Sequence, residues 1–296
     1  MDTLLSFAQG GMFASPFIQN ALLASLLAAI ACGVMGTLVV QSRLTFLAGG
    51  ASHAAYGGIG IAFHFSLPVL PCTLLFSLFA SLLMGLLSIR RGACADASSG
   101  NTDTAIGVLW AAGMAFGIIL IELTPGYAGE LMGFLFGSIL TVPQGDLLIM
   151  AGFDALLLAL LFFFHQGLWA ISIDRDFART RGLPVDALYL LLVGMTAVAV
   201  VMLIRIVGLI LVLALLTIPP YLARRVCRTL YSAMLVSGIL ALLFCLAGLA
   251  VSWHADISSG ASIIAVAAAV YFLSLLPFSR IMPPAARALP WTRWEK

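Results

Sequence analysis

Apolar residues along this chain recur neither every second nor every third or fourth position. They run together in long blocks, at roughly 18–40, 44–65, 68–89, 104–123, 146–169, 186–204, 206–222, 231–252 and 260–279. A helix rises 1.5 Å per residue and a bilayer's hydrocarbon core is about 30 Å thick, so blocks of this size match membrane-crossing helices. The pattern predicts an all-α polytopic membrane protein with about nine transmembrane helices. Only Arg205 and Gly208 interrupt 186–222, which reads as two short spans or one bent one; in the second case the count is eight. Residues 131–141 are apolar but too short to cross, and read as a re-entrant or interfacial piece. The longest hydrophilic stretch, 90–103, is a loop, and no tandem repeat interrupts the pattern. The chain therefore reads as a single transmembrane domain over 1–296.

Charge placement fixes an expected orientation. Of 14 Lys and Arg, all except Arg205 fall in alternate connections or the C-terminal tail: Arg43, Arg90, Arg91, Arg175, Arg179, Arg181, Arg224, Arg225, Arg228, Arg280, Arg287, Arg293 and Lys296. Cytoplasmic loops carry the excess of positive residues, so the N-terminus is expected outside and the C-terminus inside. Outer connections are apolar or acidic, with Glu122, Glu130 and Asp146 around 124–145 and Asp256 near His254. Trp291 and Trp294 beside Arg293 suit an inner interfacial anchor. Asp2 is the lone charge before the first block, so a cleaved leader is not expected.

Composition narrows the function classes. At 62% hydrophobic, 9% charged and a mean hydropathy of +1.15, the exterior must be lipid, since soluble domains carry about 25% charged residues. A net charge of +2 and the lack of a dense basic stripe argue against nucleic acid as a partner. The sole lysine is Lys296. A phosphate-binding loop of the G-x-x-x-x-G-K-[ST] type is absent, so any ATP hydrolysis belongs to another polypeptide. The five cysteines (Cys32, Cys72, Cys94, Cys227, Cys245) form no C-x-x-C pair and read as small buried hydrophobes.

Two segments concentrate chemistry. In ISIDRDFARTRGLP (171–184), Ser172 or Asp174 suits an N-cap. Asp174 and Asp176 suit the helix start, and Arg179 and Arg181 its end. Gly182 suits the C′ position and Pro184 bars continuation. A short capped helix on the inner face suits docking to a partner, or simply an interhelical loop made basic for topology. In LTFLAGGASHAAYGGIGIAF (44–63), glycines and alanines surround His53 near mid-span. Small residues allow close helix packing, while clustered glycines weaken a helix, as at the broken helices where transporters bind solutes. An imidazole at membrane depth suits a divalent metal path or a structural hydrogen bond. Asp154 is the other deep ionisable group, placed to share a pathway with His53, to pair with Arg205 or to sit solvated near the outer interface. His64 and His254 are expected near the outer surface and His165 near the inner one. Glu122 and Glu130 are candidates to gather cations at an outer vestibule. Neither H-E-x-x-H nor G-x-S-x-G occurs, so nucleophile or metalloprotease chemistry has no motif.

MGTLVVQSRLTFLAGGASHA (35–54), DTAIGVLWAAGMAFGI (103–118), FLFGSIL (134–140), SIDRDFARTRG (172–182) and RIVGLILVLALLTIPP (205–220) come in an order that resembles the permease subunit of the metal-type ABC importers, the zinc, manganese and iron ABC-3 family. The resemblance spans nearly the whole chain. It implies a permease domain over 1–296 in a bacterial inner membrane. Within it, 172–182 would be a cytoplasmic coupling helix, with Asp174, Asp176, Phe177, Ala178, Arg181 and Gly182 engaging an ATPase. It implies a substrate pathway through Ser52, His53, Tyr56, Asp154 and Glu122, with His53 as the metal contact. Its expected partners are an ATP-binding subunit, an extracytoplasmic solute-binding protein and a second copy of the chain. No cofactor is expected on this chain; ATP and Mg belong to the partner. One departure stands out: the family commonly has an Asp four residues before this His, and here the position is Gly49. Lacking that ligand, Asp154 or an outer Glu stands in, or the cargo is a chelate. The rival readings are a secondary transporter driven by an ion gradient through His53 and Asp154, and an intramembrane enzyme.

Overall fold

Away from water a backbone must satisfy its own polar groups, and a helix does so within one segment. The computed structural model describes residues 16–92, 100–124, 137, 139 and 142–275. Asp2, Cys94, Glu130, most of 131–141, Arg280, Arg287, Trp291, Arg293, Trp294 and Lys296 lie outside these, as does the side chain of Arg91. Helix α1 (Pro16–Ala31) passes through a π turn (Cys32–Gly36) into α2 (Thr37–Gln41). Then come α3 (Thr45–His64), α4 (Val69–Gly92), α5 (Gly100–Glu122) and α6 (Gln144–Ile173). A short α7 (Arg175–Thr180) precedes α8 (Val185–Val207), α9 (Leu209–Val226), α10 (Leu230–Ala255) and α11 (Ser259–Leu275). The described residues contain no strand.

Among the described residues seven helices are long and apolar enough to cross a membrane: the continuous Phe17–Gln41, and those in α4, α5, α6, α8, α9 and α10. Helix α11 is apolar but shorter, at 17 residues. Helix α3 has 20 residues, but its glycines, Ser52 and His53 dilute its hydropathy, and it is not among the seven.

Specific contacts sort the helix ends into two groups. Arg43, Arg175 and Arg224 line one pocket. The guanidinium of Arg175 also sits over Tyr189, whose hydroxyl meets Ser88, and Arg225 donates to the carbonyl of Ser274. These residues mark an arginine-rich end. At the opposite end Arg205 pairs with Asp146 at 2.8 Å, His64 meets Thr124 and Asn20 donates to the carbonyl of Val142. Helix α8 thus leaves the arginine-rich end, and α9 brings Arg224 back to it. The stretch 186–222 is two helices that reverse at Gly208, not one bent helix. Gly208 has φ 87° and ψ 158°, a region open essentially to glycine alone. A Cβ on Gly137, itself at φ +57°, would collide with the Val207–Gly208 backbone, so Gly137 rests on this reversal.

Burial places α8 at the centre: 72% of its most apolar stretch is buried, against 22% for α6. Phe162 and Phe163 on α6 are about three-quarters exposed, as befits a surface that meets lipid.

The glycines of α3 do not break it. The helix runs unbroken from Thr45 to His64, which corrects the expectation of a weakened span. Gly58 abuts the backbone at Thr73 of α4, and Gly60 that at Gly117 of α5, so missing side chains let three helices approach at backbone distance. The irregularity lies in the first helix instead. Its π turn ends at Gly36, where a Cβ would be 2.8 Å from the carbonyl oxygen of Leu216. Pro220, inside α9, has no N–H to offer that carbonyl four residues back. Gly36 thus faces a place where both backbones depart from α geometry.

Candidate functional site

Helix α3 is held by α4 and α5 over much of its length, and this contact positions His53. The imidazole is half-buried and stacks on the indole of Trp110 on α5, with ring centroids 4.3 Å apart and planes 18° from parallel. Its Nδ1 is buried and has no hydrogen-bond partner. Phe46 leans on the same indole from the far side of the turn, at 5.8 Å. Gly49, one turn before His53, looks onto Trp110 and Leu213 at 3.7 Å. That is ordinary contact, so a side chain would find room there.

The other pathway candidates disperse. Ser52 is buried and donates its hydroxyl to the carbonyl of Ala48 at 2.9 Å, back into its own helix. Tyr56 is fully buried and its hydroxyl is unpartnered. Glu122 is exposed at the last residue of α5. Asp154 is 5% exposed, with Oδ2 lacking a partner. It lies about 15 Å along α6 by helical rise, so it is buried at depth and not solvated at an interface. Helix α6 packs chiefly on α8 and α1 and has no extended contact with α3, so Asp154 and His53 are not neighbours. Nor does Asp154 pair with Arg205, whose guanidinium is held by Asp146 through both carboxylate oxygens. Among the described residues no group of three or more His, Cys, Asp and Glu is placed to hold a metal ion. A cation at His53 would draw on other donors than a cage of these types among the described residues.

The short helix α7 forms as its residues dictate. Asp174 is extended, at φ −151° and ψ 110°, and its carboxylate accepts from the backbone N–H of Asp176 at 2.9 Å and of Phe177 at 3.0 Å. Ser172 does not cap; it donates to the carbonyl of Leu168 and accepts from Ser42. Gly182 ends the helix at φ +76°. Ala178 is completely buried, while Phe177 is 55% exposed. The one seats the helix against the body and the other stands outward, with the guanidinium of Arg181 5.2 Å from its ring centre. Asp176 is exposed beside it, and Arg179 pairs with Asp186 at 3.0 Å. The helix thus offers one aromatic knob and mixed charges at the arginine-rich end. Trp110, Gly137 and the π turn are features that reading the sequence alone did not single out; each matters through a contact from a distant segment.

Comparison with known proteins adds the remaining context. Residues 14–277 match the model of the ABC 3 transport family. An uncharacterized membrane protein of Synechocystis is 47% identical over 88% of this chain and 90% of its own. A probable metal transport system membrane protein of Chlamydia pneumoniae is 32% identical over 88% and 89%. Among solved structures, PsaBC from Streptococcus pneumoniae superposes with a TM-score of 0.78 at 28% identity, covering 91% of this chain and 95% of that one. With a family model spanning all its described helices and a 47% identical relative of nearly the same length, the chain belongs to the ABC 3 transport family.

Proposed function

We propose that this chain is the membrane permease of an ATP-driven importer for a divalent transition metal (zinc, manganese or iron) or its chelate. The observation that carries the reading is α7: a six-residue helix, capped at both ends, seated by Ala178 and presenting Phe177 where the arginines gather. Segment 172–182 is then the coupling helix of a single permease domain spanning 1–296, and its groove lies on a separate ATP-binding subunit. The metal-transport name of the Chlamydia relative supports the cargo class.

In this reading the chain crosses a bacterial inner membrane nine times, with the N-terminus outside and the C-terminus inside. The return of α9 to the arginine-rich end supports counting 186–222 as two crossings. Helix α3 is a crossing despite its modest hydropathy, because it is sheathed by its neighbours and meets little lipid. A second copy pairs with the first, and the apolar groove along α5, lined by Gly107, Trp110, Ala111 and Met114 among others, suits such a contact. An outer binding protein delivers cargo past Glu122. The cargo then passes Ser52, His53 and Tyr56 as the two copies rock, with Asp154 acting from its separate position. The chain binds no cofactor; ATP and Mg work in the partner.

The test is co-purification with the ATP-binding subunit, together with uptake in vesicles. Phe177→Ala is expected to lose the subunit and ATP-dependent uptake while the chain still assembles. Uptake that ran on a proton gradient without ATP would overturn the proposal in favour of a secondary transporter.

A further inference from the structure

Beside α7, the ends of α2, α6 and α9 enclose an open pocket of about 500 Å³, lined by Gln41, Ser42, Arg43, Ile171, Arg175 and Arg224, among others. Three arginines line it, the guanidinium of Arg175 lying over Tyr189, and no carboxylate among the described residues pairs with any of them; the ion pairs among those residues are Arg179–Asp186 at this end and Arg205–Asp146 at the opposite one. The floor is closed. Ser42 donates to Ser172 at 2.9 Å and Ser172 to the carbonyl of Leu168 at 2.6 Å, so both hydroxyl protons are spent inside. The side-chain donors left for a ligand are the arginines and the amide of Gln41. Arg43 also holds a left-handed backbone, φ 58°, where a helix usually ends in glycine. A residue that takes this conformation against its preference points to a use for its side chain. One edge is apolar: Ile173, which lines the pocket, is 74% exposed.

Clustered cations at the end of membrane-spanning helices, with an apolar edge beside them, match one class of ligand. We propose that this pocket holds the phosphate of an anionic phospholipid headgroup, with its acyl chains passing over Ile173. Arginine forks match phosphate oxygens geometrically, and basic residues near a bilayer surface attract anionic lipid. The inference rests on the bilayer reading above and is independent of the cargo. A chain that moved no metal but kept its lipid would leave it standing.

The experiment uses the full chain in nanodiscs that mix phosphatidylglycerol with phosphatidylcholine, then detergent extraction and native mass spectrometry of retained lipid. Retained phosphatidylglycerol is expected to fall about fivefold for R43Q and about thirtyfold for R43Q/R224Q, following the per-charge attraction. The R43K/R224K pair, which keeps the charge and loses the fork, is expected to retain an intermediate amount, which separates ligand loss from misfolding. Equal retention by R43Q/R224Q would overturn the proposal. Displacement of the lipid by millimolar inorganic phosphate would overturn it in favour of a free-phosphate site. Unchanged lipid with loss of the ATP-binding subunit would overturn it in favour of a partner's carboxylate.

Discussion

His53 lies flat against Trp110, with the two ring planes 18° apart, and its Nδ1 is left without a hydrogen-bond partner. The indole fixes the imidazole plane by contact area, and leaves its nitrogens uncommitted. His53→Ala is therefore expected to abolish metal uptake while detergent-solubilised protein still elutes at the wild-type position. Trp110→Ala should spare assembly but cut uptake several-fold, because a stacked pair of this kind contributes about 1 kcal/mol to holding one rotamer. Normal uptake by His53→Ala would remove this residue from the pathway.

Position 49 gives a gain-of-function test. A Cβ there meets Leu213 and Trp110 at 3.7 Å, so a carboxylate one turn from the imidazole is sterically admissible. Gly49→Asp is expected to raise affinity for a bare divalent ion, measured by calorimetry on purified protein, since it adds a hard oxygen donor. Affinity unchanged from wild type would mean that the side chain at 49 does not face the cargo.

Glycines should differ sharply by place. A Cβ on Gly117 collides with the carbonyl of Tyr56, whereas one on Gly152 meets nothing within 4 Å. Overpacking of this kind costs about 1–3 kcal/mol. Gly117→Ala is expected to lower the thermal midpoint in detergent by several degrees and Gly152→Ala to leave it in place. Equal midpoints would show that α3 and α5 can separate at no cost.

The cap of α7 is testable apart from its knob. Asp174→Ala removes the acceptor for two backbone N–H groups, a loss of about 1 kcal/mol. Weaker retention of the ATP-binding subunit is expected, with Asp174→Asn restoring most of it. Were Asn no better than Ala, the carboxylate charge and not the cap would be what matters.

What the chain disclosed in advance followed from how local each signal is. The helices and the Asp174-to-Gly182 punctuation depend on residues within a few positions of one another, and these were legible. The partner of Arg205 was not, because Asp146 lies 59 positions away and Asp154 looked equally available on the same helix. The glycines of α3 left two readings open, close packing and a weakened helix, for a related reason. A run of small residues loosens an isolated helix but tightens a packed one, and only Thr73 and Gly117, on other helices, decide between these. The π turn faces Leu216 and Pro220 across the structure, so nothing near Cys32 announced it.

The reversal at Gly208 has a mechanical consequence. Helices α10 and α11 are separated by three residues, Asp256 to Ser258, which leaves some play between them. Helices α8 and α9 share a single hinge pin. A tilt of α8, whose first residues lie beside α7, therefore moves the start of α9 with it, and α9 carries Arg224 in its last turn back to the arginine-rich end.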